Sequence, residues 1–241
     1  VLPLDALLLV NELNRTGSRL LDGPLAGLGP VPYLPDVNGD GKADLIVANV
    51  ANGTVPNSVS IMLGNGDGTF AIPKVALGLA NPGALVLATG DINNDGVTDI
   101  VGGLVSPGNT LFTAFGKGDG TFGPATIYDV LAKGTSKIVL RDFNQDGALD
   151  IASAGTYNNN FAVLYNKGNG TFLAPDIYPL PFNAVDLLSE KVNGDAFFDI
   201  IGVAGVTGTT TPALHVFTGS ATEFVSSETI AGCVPNGRVT L

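Results

Sequence analysis

The chain has 241 residues, with 22 acidic against 11 basic side chains and a net charge of −11. That balance argues against nucleic acid, whose binders cluster Lys and Arg, and no apolar run approaches the ~20 residues of a membrane span. The single cysteine, Cys233, cannot form an internal disulfide and reads as a small buried residue.

The first elements differ in character from the rest. Residues 1–20 place apolar side chains at Leu4, Leu7, Leu8, Leu9, Val10 and Leu13, a spacing that predicts an amphipathic helix ending near Asn14 and Gly17. A signal peptide is disfavoured, because the segment has no basic start and carries Asp5 and Glu12. Residues 21–35 are rich in proline and glycine and read as a linker passing into a first strand.

A nine-residue pattern then occurs four times: DVNGDGKAD (Asp36 to Asp44), DINNDGVTD (Asp91 to Asp99), DFNQDGALD (Asp142 to Asp150) and KVNGDAFFD (Lys191 to Asp199). In the first three copies, side-chain oxygens fall at the first, third, fifth and ninth positions, with glycine at the sixth. Calcium takes about six to eight oxygen ligands, and such a loop can wrap one. The sixth-position glycine permits a sharp turn at positive φ. An EF-hand is excluded: the twelfth positions are Val47, Gly102 and Ser153, none of them a carboxylate. The segments that follow, LIVANV, IVGGLV and IASAG, read as strands, so each loop joins two strands of a hairpin. The alternative is that Asp, Asn and Gly merely form turns. In the fourth copy Lys191 replaces the first Asp and Ala196 the glycine, so that loop is expected to be degenerate and without metal. There the Lys191 ammonium is expected to pair with Asp195 and Asp199 in place of an ion.

A second element recurs in phase: LGNGDGTF (Leu63 to Phe70), FGKGDGTF (Phe115 to Phe122) and YNKGNGTF (Tyr165 to Phe172). Its glycines and Asp or Asn make tight turns. No copy has the spacing of a phosphate-binding loop. Phe70, Phe122 and Phe172 are expected to pack between sheets.

Loop starts lie 55, 51 and 49 residues apart, a period that signals a propeller or solenoid. One period holds four strand-like runs, which in the second repeat are Ala84–Thr89, Ile100–Val105, Thr110–Phe115 and Ala125–Val130. Four short strands per repeat make a propeller blade. The expected fold is therefore all-β, with blades over about 31–79, 80–132, 133–180 and 181–231. Residues 232–241 resemble the opening of the second blade and read as the first strand of a fifth, giving a partial propeller in an open arc; the alternative is that Val239 to Leu241 pair with an existing blade and close a four-bladed ring.

These loops, strands and Gly-Asp-Gly-Thr-Phe turns resemble FG-GAP/VCBS repeats, the blades of integrin-α-like propellers and of many secreted bacterial proteins. The resemblance implies three calcium ions held by Asp36, Asn38, Asp40 and Asp44; by Asp91, Asn93, Asp95 and Asp99; and by Asp142, Asn144, Asp146 and Asp150. The carbonyls of Lys42, Val97 and Ala148 would complete the three shells. Eleven of the 22 acidic residues lie in the four loops, and three calcium ions would bring the net charge from −11 to −5. Residues 1–20 resemble the closing half of a dockerin-type repeat, with Asp5 as its last ligand.

Catalysis finds little support. His215 is the only histidine and stands in no recognisable nucleophile motif. The Asp residues that a glycosidase pair would need are assigned to loops. The expected function is a non-catalytic, calcium-binding module of a secreted or cell-surface protein that contacts a protein or glycan. The alternative is an accessory domain of a larger extracellular enzyme. Tyr128 and Tyr157 are the aromatic candidates for sugar contact.

Overall fold

A computed structural model describes residues 35–49, 57–79, 85–104, 110–130, 134–155, 157–204 and 213–231. The helix expected over residues 1–20, nearly all of the linker and the strand expected over 232–241 lie outside the described residues. So does Cys233.

Every described regular element is a strand. The first sheet holds β1 (Leu45–Asn49), β2 (Ser58–Met62) and β3 (Lys74–Gly78). The second holds β4 (Leu85–Gly90), β5 (Asp99–Leu104), β6 (Thr110–Ala114) and β7 (Thr126–Asp129). The third holds β8 (Thr135–Arg141), β9 (Asp150–Gly155), β10 (Asn160–Leu164) and β11 (Asp176–Pro179). The fourth holds β12 (Ala184–Glu190), β13 (Asp199–Ala204), β14 (Ala213–Gly219) and β15 (Phe224–Ala231). Within each sheet, strands follow chain order and pair antiparallel. The four runs expected in the second repeat fall on β4 to β7 within one residue at either end. The first sheet shows three strands among the described residues, and the strand expected to open it falls on residues that lie outside them.

Alternation gives each strand two apolar faces, and successive sheets use both. One core, with Ile46, Val59, Phe112 and Phe122, joins the first sheet to the second. Another, with Val101, Leu111, Ile151 and Phe172, joins the second to the third. A third, with Phe161, Val163, Phe217 and Phe224, joins the third to the fourth. Strand β4 packs on β8 and β8 on β12, while β1, β5 and β9 each lean on the first strand of the next sheet. Among the described residues β12 makes no comparable contact with β1. Four-stranded antiparallel sheets stacked face to face in series make a β-propeller-like arrangement.

The turn phenylalanines show the direction of stacking. Phe122 and Phe172, 6% and 7% exposed, each fill the core shared with the preceding sheet. Phe70 departs from expectation: it is 36% exposed. Its sheet is the first of the described series, so no described sheet precedes it to receive the ring.

Candidate metal centres

The second, third and fourth nine-residue loops join the first and second strands of their sheets, and the first loop leads into β1. In the first, Asp36 Oδ1 accepts from the Gly39 and Asp40 amides at 2.8 and 3.2 Å, and Oδ2 accepts from Gly41 N–H at 2.8 Å. Asp91 repeats this with Asp95 N–H at 3.1 Å and Gly96 N–H at 2.8 Å. Asp142 does so with Asp146 N–H at 3.0 Å and Gly147 N–H at 2.9 Å. The sixth-position glycines Gly41, Gly96 and Gly147 have φ of 79°, 83° and 89°, as the pattern predicted. The fourth positions, Gly39, Asn94 and Gln145, are left-handed too, with φ of 71°, 60° and 63°. A glutamine there gives little warning of that conformation in the sequence.

The third and fifth positions lock one another. Asn93 Oδ1 accepts from Asp95 N–H at 3.1 Å while Nδ2 donates to Asp95 Oδ2 at 2.9 Å, and Asn144 and Asp146 do the same at 3.0 and 2.9 Å. Asp40, Asp95 and Asp146 also accept from the seventh-position amides of Lys42, Val97 and Ala148. In the first loop Lys42 Nζ reaches Asp40 Oδ2 at 3.2 Å.

The ninth-position aspartates have a second role that the pattern did not reveal. Asp44, Asp99 and Asp150 are at most 1% exposed. One oxygen of each accepts from the second-position amide, of Val37, Ile92 or Phe143. The other accepts, at 2.8 Å, from the amide that opens the next turn, at Gly64, Gly116 or Asn166. This bond holds loop and turn in phase within each sheet. Burial is the main cause that lifts the Asp99 and Asp150 carboxyls to about 6, with repulsion from Asp95 and Asp91, or from Asp146 and Asp142, adding to it.

Among the described residues no three His, Cys, Asp or Glu side chains gather as a ready metal group. The loop carboxylates instead cap loop amides. The donor set nevertheless suits a hard cation: three carboxylates and one amide oxygen within nine residues, on a backbone already folded round them.

The fourth loop keeps part of this scheme. Asn193 Nδ2 donates to Asp195 Oδ2 at 2.6 Å, and Gly194 has φ 81°. Asp199 accepts from Val192 and Gly219 amides at 2.7 and 2.9 Å. The expected pairing of Lys191 with Asp195 and Asp199 is not formed. Lys191 Nζ lies over the Phe198 ring, 4.9 Å from its centre, and Arg141 approaches the same ring at 5.4 Å. Lys191 is exposed whereas Asp199 is fully buried, so the ammonium rests on the ring at the surface.

The other candidate residues fall elsewhere. Tyr128 packs edge-on against Phe172 with centroids 5.4 Å apart, whereas Tyr157 is 60% exposed. His215 is buried against Phe217, its Nε2 2.8 Å from Ser226 Oγ and its Nδ1 bonded to Thr229 Oγ1. Both hydroxyls lie on β15, a pairing across strands with no signature in local sequence.

A family model described as FG-GAP-like repeat matches residues 36–102 and 142–202, more than half of the chain. The chain belongs to the FG-GAP-like repeat family. The two matched stretches each begin at the first Asp of a loop, and together they take in all four loops of this FG-GAP-like chain. No curated protein sequence matches it significantly. Among solved structures it is similar to an Agrocybe aegerita lectin that recognises non-reducing terminal N-acetylglucosamine. The identity is 22% and the TM-score 0.54, over 82% of this chain and 50% of the lectin. It is also similar to the Photorhabdus luminescens Tc holotoxin pore, at 19% identity and TM-score 0.47, over 81% of this chain and 10% of that one. The FG-GAP-like chain thus spans half the length of the lectin and a tenth of the toxin chain.

Proposed function

We propose that this chain is a calcium-stabilised β-propeller module, without catalytic activity of its own, that binds a protein or glycan for a secreted or cell-surface bacterial protein. The observation that carries the reading is one loop geometry built three times from oxygen donors. Asp36, Asn38, Asp40 and Asp44 with the Lys42 carbonyl would hold one ion. Asp91, Asn93, Asp95 and Asp99 with the Val97 carbonyl would hold a second, and Asp142, Asn144, Asp146 and Asp150 with the Ala148 carbonyl a third. Each carboxylate oxygen has two lone pairs, so one that accepts an amide N–H still has a direction for a cation. Calcium would supply charge neutralisation to carboxylates that otherwise repel one another.

The ion's part is structural. It would fasten the loop to which the next turn is bonded, and so hold sheet to sheet. Ligand contact is assigned to exposed loops, with Tyr157 as the aromatic candidate, and the likeness to an N-acetylglucosamine-recognising lectin makes a glycan the first class to screen. Residues 1–20 keep the dockerin-like reading; removing them should leave the calcium count of the blades unchanged.

Melting in calcium and in chelator tests the metal half of this reading. Binding to the folded state alone stabilises by about 2.7 kcal/mol per site at a hundredfold excess over Kd, so EDTA should lower the melting temperature markedly. An unchanged melt would defeat it. A glycan array and a protein-capture screen separate the two ligand classes.

A further inference from the structure

The first three loops share a polar device that the fourth lacks. In each, the first-position carboxylate accepts from the fifth- and sixth-position amides. Asp36 takes Asp40 and Gly41 N–H, Asp91 takes Asp95 and Gly96, and Asp142 takes Asp146 and Gly147, at 2.8–3.2 Å. The fourth loop keeps the frame around that carboxylate. Gly194 is left-handed at φ 81°, Asn193 Oδ1 accepts from Asp195 N–H at 3.0 Å, and Asp195 Oδ1 accepts from Phe197 N–H at 2.7 Å. Ala196 does not share the positive φ of the glycines it replaces, but its φ turns only the chain beyond its own N–H. The carboxylate itself is missing. Lys191 stands in its position, and Ala196 N–H has no acceptor among the described residues.

Two cations accompany the empty position. Lys191 Nζ and Arg141 lie 4.9 and 5.4 Å from the centre of the Phe198 ring, and neither forms an ion pair among the described residues. Phe198 packs on the core shared by the third and fourth sheets, so the cluster lies within the described series. The fifth and sixth positions are exposed in all four loops, although another sheet follows three of them. A sheet that follows therefore does not close such a loop.

We infer that the fourth loop binds the carboxylate of a uronic acid residue in a glycan. The carboxylate takes the place that Asp36, Asp91 and Asp142 fill elsewhere, accepting from the Asp195 and Ala196 amides. Backbone N–H groups in such turns form concavities that hold anions. Asp195 N–H is shared with Asn193, just as Asp40 N–H is shared between Asp36 and Asn38. Lys191 and Arg141 supply positive charge. Glu190 and Asp195, both exposed, flank the position. Their carboxylates repel an acidic peptide but accept from hydroxyls, so a sugar with one carboxylate among neutral hydroxyls is the better fit. The inference rests on the glycan half of the proposed function and names the sugar class and its place.

Heteronuclear NMR of the calcium-loaded protein, titrated with sodium glucuronate, tests it. The Asp195 and Ala196 amide signals should move and saturate with glucuronate and stay fixed with glucose. Lys191→Met removes the charge and should weaken binding about threefold, as expected for one exposed ion pair. Ala196→Pro deletes an N–H that bonds nothing in the protein and should abolish the effect. A triaspartate peptide should bind more weakly than glucuronate. Amide signals that ignore glucuronate, a Lys191→Met variant that binds it as the wild type does, or tighter binding of triaspartate would each overturn the inference. If a glycan array then shows other sugars bound, the glycan reading survives; a blank array defeats both.

Discussion

Asn166, which opens the turn of the third sheet, donates Nδ2 to the carbonyl of Ile92 in the loop of the second sheet at 2.7 Å. The same nitrogen donates to Leu149 O at 2.9 Å, and Oδ1 accepts from the Gly168 and Gly170 amides at 3.0 and 3.1 Å. One buried amide thus saturates four backbone groups from two sheets, where the first, second and fourth sheets carry a glycine. Asn166→Ala should destabilise the protein by about 2–3 kcal/mol, since several buried groups lose their partners. Asn166→Asp keeps the acceptor but loses both donors and buries a charge, so it should cost at least as much. Denaturant titration measures both, and a variant of wild-type stability would contradict the assignment.

The glycines that end the repeated turns carry unequal loads. Gly170 has φ 73°, and a Cβ there would meet the Phe115 ring at 2.5 Å and Asn93 Cβ at 3.1 Å. Gly68 has φ 87° but open space around it. Gly68→Ala should cost only the left-handed penalty of about 1–2 kcal/mol. Gly170→Ala adds overpacking of about 1–3 kcal/mol. Equal losses in a melting comparison of the two would show that the turns do not interlock as described.

The fourth loop should be repairable. Its third and fifth residues, Asn193 and Asp195, keep the mutual bonding of the intact loops, and Gly194 keeps the left-handed fourth position. Only the first and sixth positions depart. The double variant Lys191→Asp with Ala196→Gly should therefore bind one calcium ion more than the wild type. Calorimetry that counts the same number for both would argue against this reading.

Much of this was legible in the sequence because it is local. Ile100, Val101 and their equivalents alternate with a strand's period, and the loop and turn motifs repeat at nearly constant spacing, so the strands, hairpins and sheet order could be read directly. What escaped is set by tertiary context. Asp44 and Gly64 lie 20 residues apart, and no local pattern shows their bond. Phe70 reads like Phe122 and Phe172, yet its exposure depends on its place in the series. Lys191 was expected to pair with carboxylates, but it is exposed while Asp199 is fully buried, and the Phe198 ring lies within its reach. The sequence alone also ranks Tyr128 with Tyr157, and only packing separates them.

Acidity should act oppositely on the metal-free and calcium-bound protein. Without calcium, burial raises the Asp150 carboxyl from 3.8 to about 6. Its contribution to stability is then fully present below 3.8 and lost as pH rises through about 6. His215 works the other way: burial lowers its pKa below 6.5, so its contribution is lost as pH falls. Asp150→Asn removes the first effect and leaves the second. In EDTA the melting temperature of the wild type minus that of Asp150→Asn should grow as pH falls from neutrality toward 4. With calcium present, protons compete with the ion and the trend should reverse. A difference that is flat with pH in EDTA would contradict the raised carboxyl.

Isothermal titration of the chelator-treated protein with calcium tests the central claim most directly. The account predicts three ions per chain, two after Asp142→Asn with Asp146→Asn, and a melting temperature that rises with each site filled. Heats that fit no binding, or a stoichiometry unaffected by the third-loop substitutions, would contradict it.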